Sequence, residues 1–379
     1  MGILHNQVAY MEEIKRINEE KKQLKGLTIK ELKNFFFSIG EPSFRGEQVF
    51  NWMYNHLVTS FDEMGNIPKV LRQKLQDKSF MMTLELFDIK NSVSSKTRKY
   101  LFKTLDGFLV ESVLIPDEER VTLCVSSQIG CPLDCKFCAT GLMGYRKNLS
   151  SGEIFDQYLL AQKNSDQQIT NIVYMGMGEP LLNFKETLRS IRIFAAEKNT
   201  NISLSKITVS TVGIPPKIKY LADSGLKVKL AFSLHSCFED IRSSLIPLNK
   251  KYSLTTNLNF LDYYYKKTSR RITFEYLMLK DINDRQEDIE ALIKLSKRIP
   301  SKINVIPFNS IKHMNPEGLS AELEPTSLYR IDEFVTTLRD NNVSVFVRNT
   351  QGDDIAAACG QLSFDGNVLT PLVNFTEEY

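Results

Sequence analysis

From residue 120 to residue 348 the chain repeats one pattern: a short apolar run rich in β-branched residues, then a longer amphipathic stretch. The runs at 120–126, 171–176, 206–210, 228–233, 272–279, 302–306 and 343–348 read as strands. Stretches such as 184–198, 285–298 and 326–341 read as the helices between them. A crossover helix returns the chain to the same end of the sheet, so strands alternating with helices pair in parallel. The pattern therefore predicts an α/β domain with a parallel sheet. In βα barrels, ligands bind at the carboxyl ends of the strands. Gly176, Ser210, Ser233 and Asn309 fall at those ends.

Six cysteines stand at positions 124, 131, 135, 138, 237 and 359. Three of them form a C-x3-C-x2-C run, Cys131, Cys135 and Cys138, directly after the first strand of the series. In a reducing compartment such a cluster favours metal binding over disulfides. Thiolates suit zinc or iron–sulfur. A structural zinc site needs four ligands, so it would have to be completed from afar by His235 or Cys237. A four-iron cluster held by three cysteines instead leaves one iron open.

The second strand runs into Met175-Gly176-Met177-Gly178-Glu179-Pro180. Its glycines allow close backbone approach to a ligand, and Glu179 offers a carboxylate to an ammonium group. Ser210, Ser233-Leu234-His235 and Asn309 read as a ring around a cofactor. Cys359 lies among small residues in Gly352–Leu362, with Gly360 beside it.

The first ~90 residues read as helical. Thr28 and Glu31 form a capping box, Gly40 closes that helix, Ser43 precedes a second, and Pro68 starts a third. Residues 96–126 are β-rich, with Asp106-Gly107 as a hairpin turn. The expected organisation is a helical accessory domain over 1–92, a β connector over 93–119, the βα domain over 120–362 and a tail over 363–379. Net charge is only +3. It is uneven: residues 1–105 carry 17 Lys+Arg against 12 Asp+Glu, and the remainder 31 against 33. No apolar run approaches the ~18–20 residues of a membrane span, and MGILHNQVAY lacks the pattern of a secretory leader, so a cytoplasmic protein is expected.

The cysteine run after the first strand resembles the radical S-adenosylmethionine (SAM) superfamily. That resemblance implies a partial (β/α)6 barrel with a [4Fe-4S] cluster on Cys131, Cys135 and Cys138. SAM would bind the open iron, and its reductive cleavage would yield a 5′-deoxyadenosyl radical. RGEQVFNWMY, TLCVSSQIGCPLDCKFCATG, MGMGEPLLN, SLH, IPLNKKY and GDDIAAACGQL together resemble the RlmN-type adenine-C2 methyltransferases, from about residue 40 to 362. The resemblance implies methylation of C2 of an adenine in 23S rRNA, and of adenine 37 in certain tRNAs, with two SAM per turnover. Cys359 would carry the methyl group as S-methylcysteine. Cys124 would release the product by forming a disulfide with it, and Glu111 would accept the C2 proton. SAM contacts carry over as Gly178, Glu179, Ser210, Ser233, Leu234, His235 and Asn309. Cys237 matches no family role.

An electron donor such as flavodoxin and a monomeric enzyme without membrane attachment are the further expectations. A sister group methylates C8 of the same adenine, and it typically reads GEALAN where this chain reads GEPLLN. A non-catalytic, zinc-stabilised RNA-binding protein is the alternative from another class. The basic helical end resembles the family's RNA-handling domain. Lys21, Lys22, Lys25, Lys30, Lys33, Arg45, Lys69, Arg72, Lys74, Lys96, Arg98, Lys99 and Lys103 are candidate phosphate contacts.

Overall fold

The computed structural model describes residues 21–196, 202–348 and 350–363. The first twenty residues, the end of the helix expected at 184–198 and nearly all of the tail expected at 363–379 lie outside the described residues.

The N-terminal region is built from three helices, Ile29–Ser38, Phe44–Tyr54 and Lys69–Lys78. The Thr28–Glu31 capping box is formed, with Glu31 Oε2 accepting from the Thr28 N–H at 2.8 Å. Ser43 does not cap the second helix; its own backbone is already helical and its side chain makes no cap bond. The first two helices bury Leu32 and Phe36 against Val49, Phe50, Met53 and Tyr54. Short parallel strands β1 (Lys22–Gln23) and β2 (Ser79–Phe80) tie the two ends of the region together.

Next come three antiparallel strands, β3 (Leu84–Asn91), β4 (Arg98–Thr104) and β5 (Leu109–Pro116). The expected turn is present at Asp106-Gly107, where Gly107 has φ +85°. The β layer begins at Leu84, earlier than residue 93. Most of β3 faces solvent, so its edge position leaves little apolar alternation to read.

β5 pairs with β6 (Val121–Val125), and from there the sheet turns parallel. A two-stranded excursion, β7 (Gln128–Gly130) and β8 (Tyr145–Asn148), follows β6. Then come β9 (Asn171–Tyr174), β10 (Ile207–Thr211), β11 (Lys229–Ser233), β12 (Ile272–Met278), β13 (Ser301–Pro307) and β14 (Val345–Val347). The ten-stranded order is β14-β13-β12-β11-β10-β9-β6-β5-β4-β3. Helices such as Ser151–Lys163, Phe184–Phe194, Gln286–Arg298 and Leu328–Asp340 return the chain between parallel strands. This is an α/β partial barrel, as expected, that the antiparallel strands extend in one continuous sheet. Every residue of β12 is buried, which marks the centre of the core. The barrel opens at the carboxyl ends of β6 and β9–β14, where the residues after each strand converge.

Candidate active site

One open cavity occupies those strand ends. Its wall includes Cys124, Cys131, Cys135, Cys138, Gly178, Glu179, Ser210, Ser233, His235 and Cys359. Residues spread over more than two hundred positions of sequence thus share one wall. The cysteine loop is shaped by backbone constraints. Gly130 has φ +71°, and a Cβ there would collide with the Gly144 carbonyl. The loop is also stitched to the segment carrying Cys359: the Ala139 N–H donates to the Gly360 carbonyl at 2.7 Å, and Thr140 Oγ1 donates to the Leu362 carbonyl at 2.6 Å.

Burial pushes the thiols of Cys131, Cys135 and Cys138 up, because a thiolate there lacks solvent. A bound metal reverses that balance by deprotonating the thiols it coordinates. Among the described residues, no three His, Cys, Asp or Glu side chains converge on a point where a single ion would sit. Three thiols on one cavity wall, near enough that Cys131 and Cys138 add to the rise of the Cys135 pKa, fit a multi-iron cluster, which carries its cysteines on different irons. His235 does not complete a zinc site. Its Nδ1 accepts from the Leu277 N–H at 3.0 Å, and burial pulls its pKa down to about 3, so the ring is neutral with its proton on Nε2. Cys237 is not on the cavity wall, and burial pushes its thiol up to about 12.

Glu179 follows Gly178, whose φ of +93° and contact with Gln128 leave no room for a Cβ. The Glu179 carboxylate accepts from the Leu181 N–H at 2.9 Å and the Val212 N–H at 3.0 Å. Burial outweighs those bonds and raises its pKa to about 7. Leu234 is buried beside the site and contributes its backbone: its carbonyl accepts from Arg242 Nε at 3.1 Å. Asn309 is joined to the site through the Cys359 carbonyl at 3.4 Å.

Cys124 and Cys359 share the cavity, and the charge of Cys359 adds to the rise of the Cys124 pKa. Burial pushes the Cys124 thiol up to about 12, and the Arg348 guanidinium opposes that rise. Cys359 is likewise raised by burial and opposed by Arg348. The disulfide expected from the resemblance is not formed: all six cysteines are free.

Glu111 lies off the cavity wall, in the sheet beside it, where Lys99 Nζ approaches its Oε1 at 2.9 Å. Two candidate RNA contacts are corrected here. Lys99 and Lys25 are buried, each against a carboxylate, because they sit on inward faces of packed elements. Three other residues were not anticipated. Arg348 ends β14 and Glu275 sits in mid-β12, both on the cavity wall, and Arg242 braces the ends of β10 and β11. A charge inside the apolar run ITFEYLM was the available signal for Glu275.

Comparison with known proteins agrees with this arrangement. Residues 22–81 match the ribosomal RNA large subunit methyltransferase N-terminal domain, and residues 125–295 match the radical SAM superfamily. A probable dual-specificity RNA methyltransferase RlmN of Christiangramia forsetii is 41% identical over 351 residues, covering 92% of this chain and 97% of its own. Its counterpart in Salinibacter ruber is 42% identical over 360 residues, covering 92% and 95%. The crystal structure of a radical SAM methyltransferase from Sphaerobacter thermophilus superposes with a TM-score of 0.84 at 38% identity, covering 90% of this chain and 98% of its own.

Proposed function

Since the chain belongs to the RlmN family of radical SAM RNA methyltransferases, we propose that it methylates C2 of an adenine in 23S rRNA, and of adenine 37 in tRNAs, through a methylated cysteine. The observation that carries this reading is the meeting of Cys124 and Cys359 on the cavity that also holds the three-cysteine loop. A radical SAM enzyme that only cleaved its cofactor would have no use for two further thiols there.

Cys131, Cys135 and Cys138 would hold a [4Fe-4S] cluster. Gly178, Glu179, Ser210, Ser233, Leu234, His235 and Asn309 would form the seat of SAM. Together these groups supply, when bound, a carbon-centred radical able to take a hydrogen atom from a methyl group. C2 of adenine is an aromatic C–H carbon without a lone pair, so polar attack on a sulfonium methyl is unfavourable. Cys359 answers this by carrying the methyl as a thioether placed against the base. Once the carbon carried by Cys359 has bonded to C2, Glu111 takes the C2 proton. The Cys124 thiolate then attacks the Cys359 sulfur, the electron pair of the sulfur–carbon bond leaves with the product carbon, which takes a proton to become the methyl group, and a Cys124–Cys359 disulfide remains. Two SAM per turnover, and an external reductant such as flavodoxin, follow from that chemistry. Arg348 favours the thiolate form of both cysteines by its charge.

The test is nucleoside mass spectrometry of ribosomal and transfer RNA from cells with and without the gene. C2-methyladenosine is expected to vanish from both. Loss of C8-methyladenosine instead would move the enzyme to the sister reaction, and no change in either would refute the reading. Cys124→Ala is expected to halt the reaction as a covalent protein–RNA adduct on Cys359.

A further inference from the structure

Across β4, β5 and β6 the register sets Lys99 opposite Val113, and Val113 opposite Cys124. Directly opposed residues point to the same side of a sheet. The three therefore stand in one row, and Val113 and Cys124 both line the cavity. Glu111 is opposite Leu101, two residues along from that row and on the same side. The Lys99 ammonium bridges the offset. It lies 2.9 Å from Glu111 Oε1 and donates to the Ala356 carbonyl at 3.1 Å. Ala356 belongs to the segment that ends in Cys359. Lys99 is 6% exposed and Glu111 3%. Glu111 Oε2 is buried and has no hydrogen-bond partner.

A buried carboxylate oxygen without a donor is costly, and this one belongs to a residue on the same side of the sheet as the cavity-lining Val113 and Cys124. We propose that Lys99 is a positioning residue for the proton transfer. It fixes Glu111 through Oε1, leaves Oε2 as the accepting atom, and through Ala356 holds the Cys359 segment in register with that atom. The inference rests on the reading of Glu111 as proton acceptor and Cys359 as methyl carrier, and adds no chemical step to it. One ammonium suffices because it has three donors and here serves two acceptors.

The test uses the full chain loaded with iron, and follows formation and decay of the protein–RNA adduct with labelled RNA under denaturing electrophoresis. Lys99→Met is expected to keep the visible iron–sulfur absorbance and to form the adduct, but to resolve it about 100-fold more slowly, the scale of a positioned base. Lys99→Arg, still a cation with several donors, should recover resolution to within about tenfold. In a Glu111→Gln background, Lys99→Met should change the remaining rate by less than about twofold, since it acts through Glu111.

Resolution at the unsubstituted rate in Lys99→Met overturns the proposal. So does an equal loss of every step, adduct formation included, without recovery by arginine, because that pattern belongs to a merely structural lysine. Full turnover by Glu111→Gln would be a different failure, that of the proton-acceptor reading. Should Lys99→Met not take up iron, Lys99→Gln, which keeps a donor for Ala356 without the charge, is read in the same assay against the same outcomes.

Discussion

Among the described residues, two buried lysine–carboxylate pairs stand in different surroundings. Lys25 Nζ lies 3.4 Å from Asp156 Oδ1, and both side chains are fully enclosed where the N-terminal region meets the helix Ser151–Lys163. Asp156 uses its other oxygen to accept from Thr83 N–H and Oγ1 at 2.7 and 2.6 Å. The Lys25 ammonium stands 5.6 Å from the centres of the Tyr54 and Phe155 rings. Burial pulls the Lys25 pKa down, and Asp156 pulls it back up. Asp156 Oδ1 meets the Lys25 ammonium as an ion pair without a hydrogen bond, and this pair staples the accessory region to the barrel. Lys99 and Glu111 are nearly as buried, and Glu111 also keeps one oxygen without a hydrogen bond, but here the ammonium donates as well to Ala356, three residues before Cys359. Each pair leaves one carboxylate oxygen without a hydrogen bond, and what separates them is the neighbourhood: Thr83 and two aromatic rings around the one, the Ala356 carbonyl near Cys359 beside the other.

The comparison breaks most visibly at Asp156. Asp156→Ala would strand the Lys25 ammonium in an apolar seat and is expected to lower stability by about 3–5 kcal/mol. Replacing both partners, Lys25→Met with Asp156→Leu, should return most of that loss, because no charge is then left unpaired. Urea denaturation of the three proteins reads this directly. A loss under about 1 kcal/mol for Asp156→Ala would mean that water reaches the pair and that it is no staple.

Glu179 sharpens the contrast, being a buried carboxylate held by N–H donors with no lysine. In the iron-free protein its pKa is raised to about 7 by burial, from the ordinary 4.5. Between those values the folded chain holds a proton that the unfolded chain has lost. The contribution to stability is therefore complete below the ordinary value and is lost as pH rises through about 7, by about 3 kcal/mol in all. Unfolding measured near pH 5 and near pH 8 should show that fall, and Glu179→Gln should flatten it by about the same amount. Equal slopes in the two proteins would show that the buried carboxylate is solvated after all. A smaller effect belongs to the neutral part of the staple. Tyr54 Oη accepts from the Gly26 N–H at 2.6 Å. Tyr54→Phe orphans that buried N–H and is expected to cost about 1–3 kcal/mol in the same denaturation assay, with the lower end marking access of a replacement water.

The sequence was most readable where the cause is local. Periodicity located each parallel strand to within a few residues, and the three-cysteine run lies on the cavity wall after the first of them, as its position in the sequence suggested. The Thr28–Glu31 cap was legible because both partners lie within one turn. What could not be read depends on register between distant segments. Lys25 in KKQLKGL and Lys99 in KTRKYLF look like any basic stretch, and only their docking against Asp156 and Glu111 makes them interior. The Asp106-Gly107 turn did contain the answer for one of them: it fixes Lys103 opposite Leu109, which sets Lys99 diagonal to Glu111. Arg348 had no such signal, since it reaches the cavity only because β14 is added to the far edge of the parallel strands.

The smallest expected effect tests what the basic end of the chain does once its two interior lysines are set aside. RNA affinity falls with salt in proportion to the phosphates neutralised, with a slope of about 0.7–0.9 per contact. Lys69 and Lys96 are exposed, whereas Lys99 is not. Lys96 sits at the turn between β3 and β4, where Ser92 Oγ and the Val93 N–H donate to Asp354 at 2.8 Å, close along the chain to Cys359. A phosphate at that turn would bring RNA beside the cavity. Lys96→Gln should therefore lower the salt slope by roughly one contact, a change of about threefold in affinity between about 50 and 200 mM salt. Lys99→Met should leave the slope unchanged while slowing resolution of the adduct. Filter binding across a salt series separates the two. A reduced slope for Lys99→Met would mean that the buried lysine reaches RNA, and the distinction between interior and exposed cations at this end would then fail.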